Sequence, residues 1–136
     1  MANPLKVGVK TLVEIARREI KEYTAGEAME LAKRPDVLLV DIRDPRELAR
    51  DGKVPGALHA PRGMLEFWVD PDSPYFKPVF GEDKTFVFFC AGGLRSALTT
   101  KTLQDMGLKP VAHIVGGYAA WKEAGGAVEL VAPKPA

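Results

Sequence analysis

Three apolar runs, residues 37–42, 85–89 and 111–115, constrain the fold of this chain more than any other feature. In the first two, apolar side chains follow one another rather than alternate with polar ones. A strand of that kind has to be covered on both faces. Between the runs lie stretches with helical spacing. Val9, Leu12, Val13, Ala16 and Ile20 predict an amphipathic helix over 9–19. Thr24 and Glu27 fit a capping box that opens a short helix to about residue 33, ahead of Pro35. Met64, Leu65 and Trp68 fit a brief helix, residues 94–106 a longer one capped by Gly107 and Leu108, and 118–124 a last one after Gly116-Gly117. Residues 57–60 read as one more short strand, 51–56 as a turn, and 70–80, with three prolines, as an irregular surface excursion. Strands alternating with helices specify an α/β domain with a mostly parallel sheet. The division expected is a helical extension over 1–19, one domain over 20–130, and a loose tail over 131–136.

Charge and composition exclude several classes of function. The chain has 136 residues, 19 Lys+Arg and 18 Asp+Glu, a net charge of +1, so no global field draws it to nucleic acid or anionic lipid. No apolar run approaches the roughly 18–20 residues that cross a bilayer, and the first ten residues contain no secretory core. Cys90 is the only cysteine, which excludes an internal disulfide and a cysteine-rich metal site; a reducing cytoplasm is the compartment expected.

In such a sheet, ligands bind at the carboxyl ends of the strands. That directs attention to Cys90-Ala91-Gly92-Gly93-Leu94-Arg95-Ser96, which leaves the run 85–89 and enters a helix. The glycines let the loop curl with its N–H groups inward, as an anion nest. The positive end of the next helix faces the same point, and Arg95 stands beside it. All three effects favour a thiolate and an anionic substrate. A lone cysteine at a strand end is otherwise a small buried hydrophobe, but that role requires neither Gly-Gly nor an arginine five positions on.

The loop resembles the active-site loop of rhodanese-homology domains, sulfurtransferases in which a cysteine is followed by four residues and an arginine. Three further segments carry the resemblance. Asp41-Ile42-Arg43-Asp44-Pro45-Arg46-Glu47 is similar to the family's Asp-x-Arg-x-x-x-Glu element. Gly52 to Pro61 is similar to its Gly-His-Ile-Pro-Gly-Ala turn, with Lys53 in place of the usual histidine, and Gly116-Gly117-Tyr118-Ala119-Ala120-Trp121 to its Gly-Gly-aromatic-x-x-Trp. The resemblance implies a three-layer α/β domain, with a mostly parallel central sheet and helices on both faces. It also implies sulfur transfer through a Cys90 persulfide, from thiosulfate or a related donor to cyanide, a thiol or a protein acceptor, with no cofactor and no metal. The amides of Ala91, Gly92, Gly93, Leu94, Arg95 and Ser96 would cradle the sulfur.

Beside those roles stand plainer ones. Arg95 is expected to support the loop and supply field more than to bind a donor's sulfonate. Ser96 reads as a helix cap. Asp41, Arg43 and Glu47 read as a polar brace, not a catalytic acid–base pair, since sulfur transfer by a thiolate requires no general base. His59 and His113, in apolar strands, read as structural, and Tyr118 and Trp121 as core. Arg62 is the weakest candidate for a substrate-facing cation, and the segment around Trp68 a candidate pocket wall. Two other functions compete. A cysteine-dependent phosphatase places five residues between cysteine and arginine, where this chain has four, and needs an acid for the leaving group. A non-catalytic binding module or sulfur carrier is the other.

Overall fold

A computed structural model describes residues 4–132; residues 133–136 of the expected tail lie outside the described residues, as do 1–3. The elements are α1 (Val9–Glu19), β1 (Lys21–Tyr23), α2 (Ala25–Leu31), β2 (Val37–Asp41), α3 (Pro45–Asp51), β3 (Leu58–His59), α4 (Leu65–Val69), β4 (Thr85–Phe89), α5 (Leu94–Asp105), β5 (Val111–Ile114) and α6 (Gly117–Glu123). Five strands form one sheet in the order β1-β5-β4-β2-β3, and every pairing is parallel.

The apolar runs are buried on both faces, as their composition requires. Alternate residues serve opposite layers. Val37, Leu39, Val87, Phe89, Ala112 and Ile114 pack with Ala25 and Ala28 of α2 and with Tyr118 and Trp121 of α6. Val40, Phe86, Phe88 and Val111 pack with Leu65 and Val69 of α4 and Leu103 of α5. The result is the three-layer arrangement expected.

Two elements differ from the sequence reading. Residues 45–51 form α3, whose start has a complete capping box: Asp44 accepts from the helix backbone while Glu47 reaches back to the Asp44 N–H at 2.9 Å. The density of charge there masked a helix opening with Pro45 at its first turn. Strand β1 is short and polar, and is held at the sheet edge by its register with Ala112, His113 and Ile114. The 9–19 helix is docked onto α5 through Val13, Ala16 and Ala97, and Lys101 Nζ lies 2.6 Å from the Glu19 carboxylate. At the other end Lys53 and Glu129 form an isolated antiparallel bridge.

The segment after β3 covers core. Leu65 is fully buried and Trp68 packs against the same cluster, while Phe67 is exposed and meets Tyr75 edge-on. The Arg62 cation is held by Glu66 at 2.7 Å. No helix among the described residues is long and apolar enough to cross a membrane.

Chain connections run outward from β2 to β3 on one side and from β4 to β5 on the other. The divergence lies between the carboxyl ends of β2 and β4, the kind of switch point at which α/β sheets bind ligands. Phe88, with no exposed surface, packs in the cluster that holds Leu65, Val69 and Leu103. Phe88→Ala should lower unfolding free energy by about 3–5 kcal/mol, measured as a lower urea midpoint.

Candidate active site

Cys90 is the residue immediately after β4, and is 1% exposed. Its Sγ accepts from the Gly93 N–H at 3.1 Å and lies 3.7 Å from Ser96 Oγ. Gly93 has φ 100° and caps α5 without a side-chain bond. A side chain there would meet the backbone of Gly116, 3.0 Å from its Cβ, so the residue has to be glycine for both reasons.

The loop is held from behind by α6. Tyr118 N–H donates to the Cys90 carbonyl at 2.8 Å and Ala119 N–H to the Ala91 carbonyl at 3.1 Å. These are free amides of a helix start, so the helix satisfies two carbonyls of the loop while completing its own first turn. Gly117, at φ 58°, makes the approach feasible: a Cβ on it would collide with the Cys90 and Ala91 carbonyls. The Gly-Gly before the aromatic is thus part of the cysteine site, a role that the sequence reading did not assign to it.

The expected brace of Asp41, Arg43 and Glu47 is two separate ion pairs. Arg43 is fully buried and forks onto Asp41, with Nε 3.0 Å from Oδ1 and Nη2 2.8 Å from Oδ2. Its Nη2 also donates to the Gly52 carbonyl at 2.9 Å, and its guanidinium lies 4.0 Å from the Tyr118 ring centroid. Glu47 pairs instead with Arg95, at 2.8 and 2.9 Å. Arg95 therefore reaches across to α3 rather than bonding loop carbonyls. Its hydrogen bonds to Arg95 hold the Glu47 carboxyl down at about 2, against a burial effect in the other direction.

Ser96 does not cap the helix. It lies in the first turn, fully buried, with Oγ 2.9 Å from His113 Nδ1 and 3.3 Å from the Gly93 carbonyl. His113 Nε2 lies 2.7 Å from Glu22 Oε2, and Arg17 Nε donates to the same oxygen at 2.8 Å. Burial pushes the His113 imidazole below its ordinary value, opposed by Glu22. His59 has the structural role expected, its Nε2 2.7 Å from the Arg43 carbonyl.

A five-stranded parallel sheet with this cysteine loop at its switch point defines a class of α/β protein, and comparison identifies which one. The family model of the rhodanese-like domain matches residues 24–124, and the chain belongs to that family. A sulfurtransferase of Allochromatium vinosum is 35% identical over 104 residues, 76% of this chain and 87% of that protein. A solved structure from Rhodopseudomonas palustris, of unknown function and described as a "Possible Tyrosine Phosphatase", is 58% identical with a TM-score of 0.91, covering 95% of this chain and 99% of that one. The polysulfide-sulfur transferase homodimer of Wolinella succinogenes is 31% identical with a TM-score of 0.68, covering 90% and 87%.

Two outcomes follow from this geometry. Gly117→Ala should separate α6 from the loop and lower stability by roughly 2 kcal/mol or more, seen as a lower thermal midpoint. Glu47 has a depressed carboxyl, so its contribution is present above 4.5 and is lost as pH falls from there to about 2. Glu47→Gln should flatten that part of the acid unfolding profile, leaving the part due to Asp44, which is likewise held at about 2.

Proposed function

We propose that this protein is a sulfurtransferase that carries a sulfane sulfur as a persulfide on Cys90. The observation that carries the reading is the recessed Sγ under the Gly93 amide, in a four-residue loop that closes on Arg95. The Cys90 sulfur, giving up its proton as it attacks, bonds to the outer sulfur of thiosulfate. The new bond joins two sulfurs, the donor's S–S bond breaks, and sulfite leaves with its electron pair. Cyanide or a thiol then takes the outer sulfur and the Cys90 thiolate returns. Covalent catalysis of this kind divides one difficult transfer into two easier ones. A preorganised N–H at the reacting sulfur can contribute about 3 kcal/mol. The sulfurtransferase of Allochromatium vinosum and the polysulfide-sulfur transferase of Wolinella succinogenes support this class of reaction.

The description of the Rhodopseudomonas palustris structure favours a second reading, phosphate-ester hydrolysis. The site argues against it. A phosphatase needs a protonated acid for the leaving alkoxide. Glu47 is ionised at neutral pH by its pair with Arg95, and Asp41 is locked against Arg43. The ring of four residues suits one sulfur atom better than a tetrahedral phosphoryl group.

Incubation with thiosulfate should raise the intact mass by one sulfur atom, removable by cyanide or dithiothreitol, and Cys90→Ser should gain nothing. Thiocyanate production by Cys90→Ser at the wild-type rate would overturn the reading. Aryl-phosphate hydrolysis that exceeds sulfur transfer, and that is lost in Cys90→Ser, would establish the phosphatase instead.

A further inference from the structure

The side chains beneath Cys90 form a continuous chain with one direction. We propose that His113 takes the Cys90 proton through the Ser96 hydroxyl as the sulfur attacks, with Glu22 holding the resulting imidazolium. The inference deepens the sulfur-transfer reading and rests on it for the nature of the electrophile.

The direction follows from the donors and acceptors present. Glu22 is a carboxylate and accepts from His113 Nε2–H at 2.7 Å. In the neutral ring that leaves Nδ1 as an acceptor. Ser96 Oγ, at 2.9 Å, donates to it in preference to the Gly93 carbonyl at 3.3 Å. The hydroxyl's lone pairs are then free for the Cys90 S–H, whose sulfur is 3.7 Å away. Each bond is thus oriented to carry a proton from sulfur to imidazole. The Gly93 carbonyl is the alternative acceptor for Ser96, at the longer distance, so the linked bonds favour this one direction.

The step balances. The Cys90 S–H bond breaks as Sγ forms its new bond to the donor sulfur. Ser96 takes that proton and passes its own to His113 Nδ1. The sulfur's electron pair enters the new S–S bond, and sulfite leaves with the pair of the bond that breaks. The chain then runs in reverse, with Nδ1–H donating to Ser96 and Ser96 donating to the persulfide. When the outer sulfur departs, the proton is still at hand for Cys90.

The ionisable groups that face this chain come from several elements. Arg17 of α1 and Glu22 of β1 face His113, Arg17 fixing the Glu22 carboxylate at 2.8 Å. Arg95 of α5 and its partner Glu47 of α3 stand at the Cys90 end. A cavity of about 240 Å³, bounded in part by Arg17, Gly92, His113 and Gly116, adjoins the ring. Glu22 is a quarter exposed, which gives the proton a path to solvent. His113 acts through Ser96 and is a positioning residue, distinct from Cys90, which meets the substrate.

The test is the rate of Cys90 alkylation by iodoacetamide against pH, which involves no sulfur donor. His113→Asn keeps a polar side chain of similar reach but cannot take the proton. At pH 7 it should react roughly tenfold to a hundredfold more slowly than wild type. The two rates should converge in alkaline solution, where hydroxide removes the proton without help. Glu22→Gln, at a partly exposed site, should show a smaller defect with the same pH dependence, and serves if His113→Asn fails to fold. A defect equal at every pH marks a structural role and overturns the proposal, as does no defect at pH 7. Failure of thiosulfate to load wild-type Cys90, with the pH-dependent defect intact, would remove the sulfur-transfer reading and leave the relay standing.

Discussion

Strand β4 has no face in contact with water, and the rest of the molecule is arranged to keep it so. Phe86, Val87, Phe88 and Phe89 are all at most 1% exposed. Covering both sides requires helices from both directions, so the chain has to cross over the sheet repeatedly, and parallel pairing follows. It also fixes where polar chemistry begins. Past Phe89 the backbone leaves the ladder while still buried, and its amides and carbonyls must find partners within the protein. The carbonyls of Cys90 and Ala91 find them in α6, and the Gly93 amide finds the cysteine sulfur. The sulfur is therefore bound into the same hydrogen-bond accounting that ends the strand.

Around that loop the two ion pairs do different work. Arg43 and Asp41 are out of solvent, where an ion pair offers little net stability for its desolvation. What Arg43 supplies is connection: the end of β2, the carbonyl of Gly52 and the ring of Tyr118 meet at one guanidinium. The Tyr118 hydroxyl adds a bond to the Asp51 carbonyl at 2.8 Å. Arg95 and Glu47 lie nearer the surface and join α5 to α3. Together the pairs tie β2, α3 and α5 to one another around the loop.

Most of this architecture was legible in the residue order, because it depends on local pattern. The runs at 37–42, 85–89 and 111–115 became strands within one residue of their expected ends, and the helical spacing at 9–19 became α1 with those limits. Strand β1 was not legible, because Lys21, Glu22 and Tyr23 carry no apolar pattern and are extended only by pairing with β5. Helix α3 had its signal in Asp44, Pro45 and Glu47, but the signal reads as charge before it reads as a cap. At the site, the cysteine, the glycines and the arginine were apparent from their spacing. The partners were not. Glu47 and Arg95 are 48 residues apart, and Glu22 and His113 are 91 apart, so only the fold brings them together. His113 sat among aliphatic neighbours and read as packing; its contact with Ser96 runs between a strand and the helix that precedes it.

The solitary character of Cys90 has a consequence for timing. Enzymes with a second thiol nearby can discharge a loaded sulfur by forming an internal bridge, on their own clock. This sequence contains no such thiol. A sulfur held on Cys90 as proposed would stay until a visitor arrived, and the visitor would have to reach an atom that is almost wholly enclosed. On that reading the loaded form would be stored rather than self-emptying, its lifetime set by the supply and shape of the molecule that collects it.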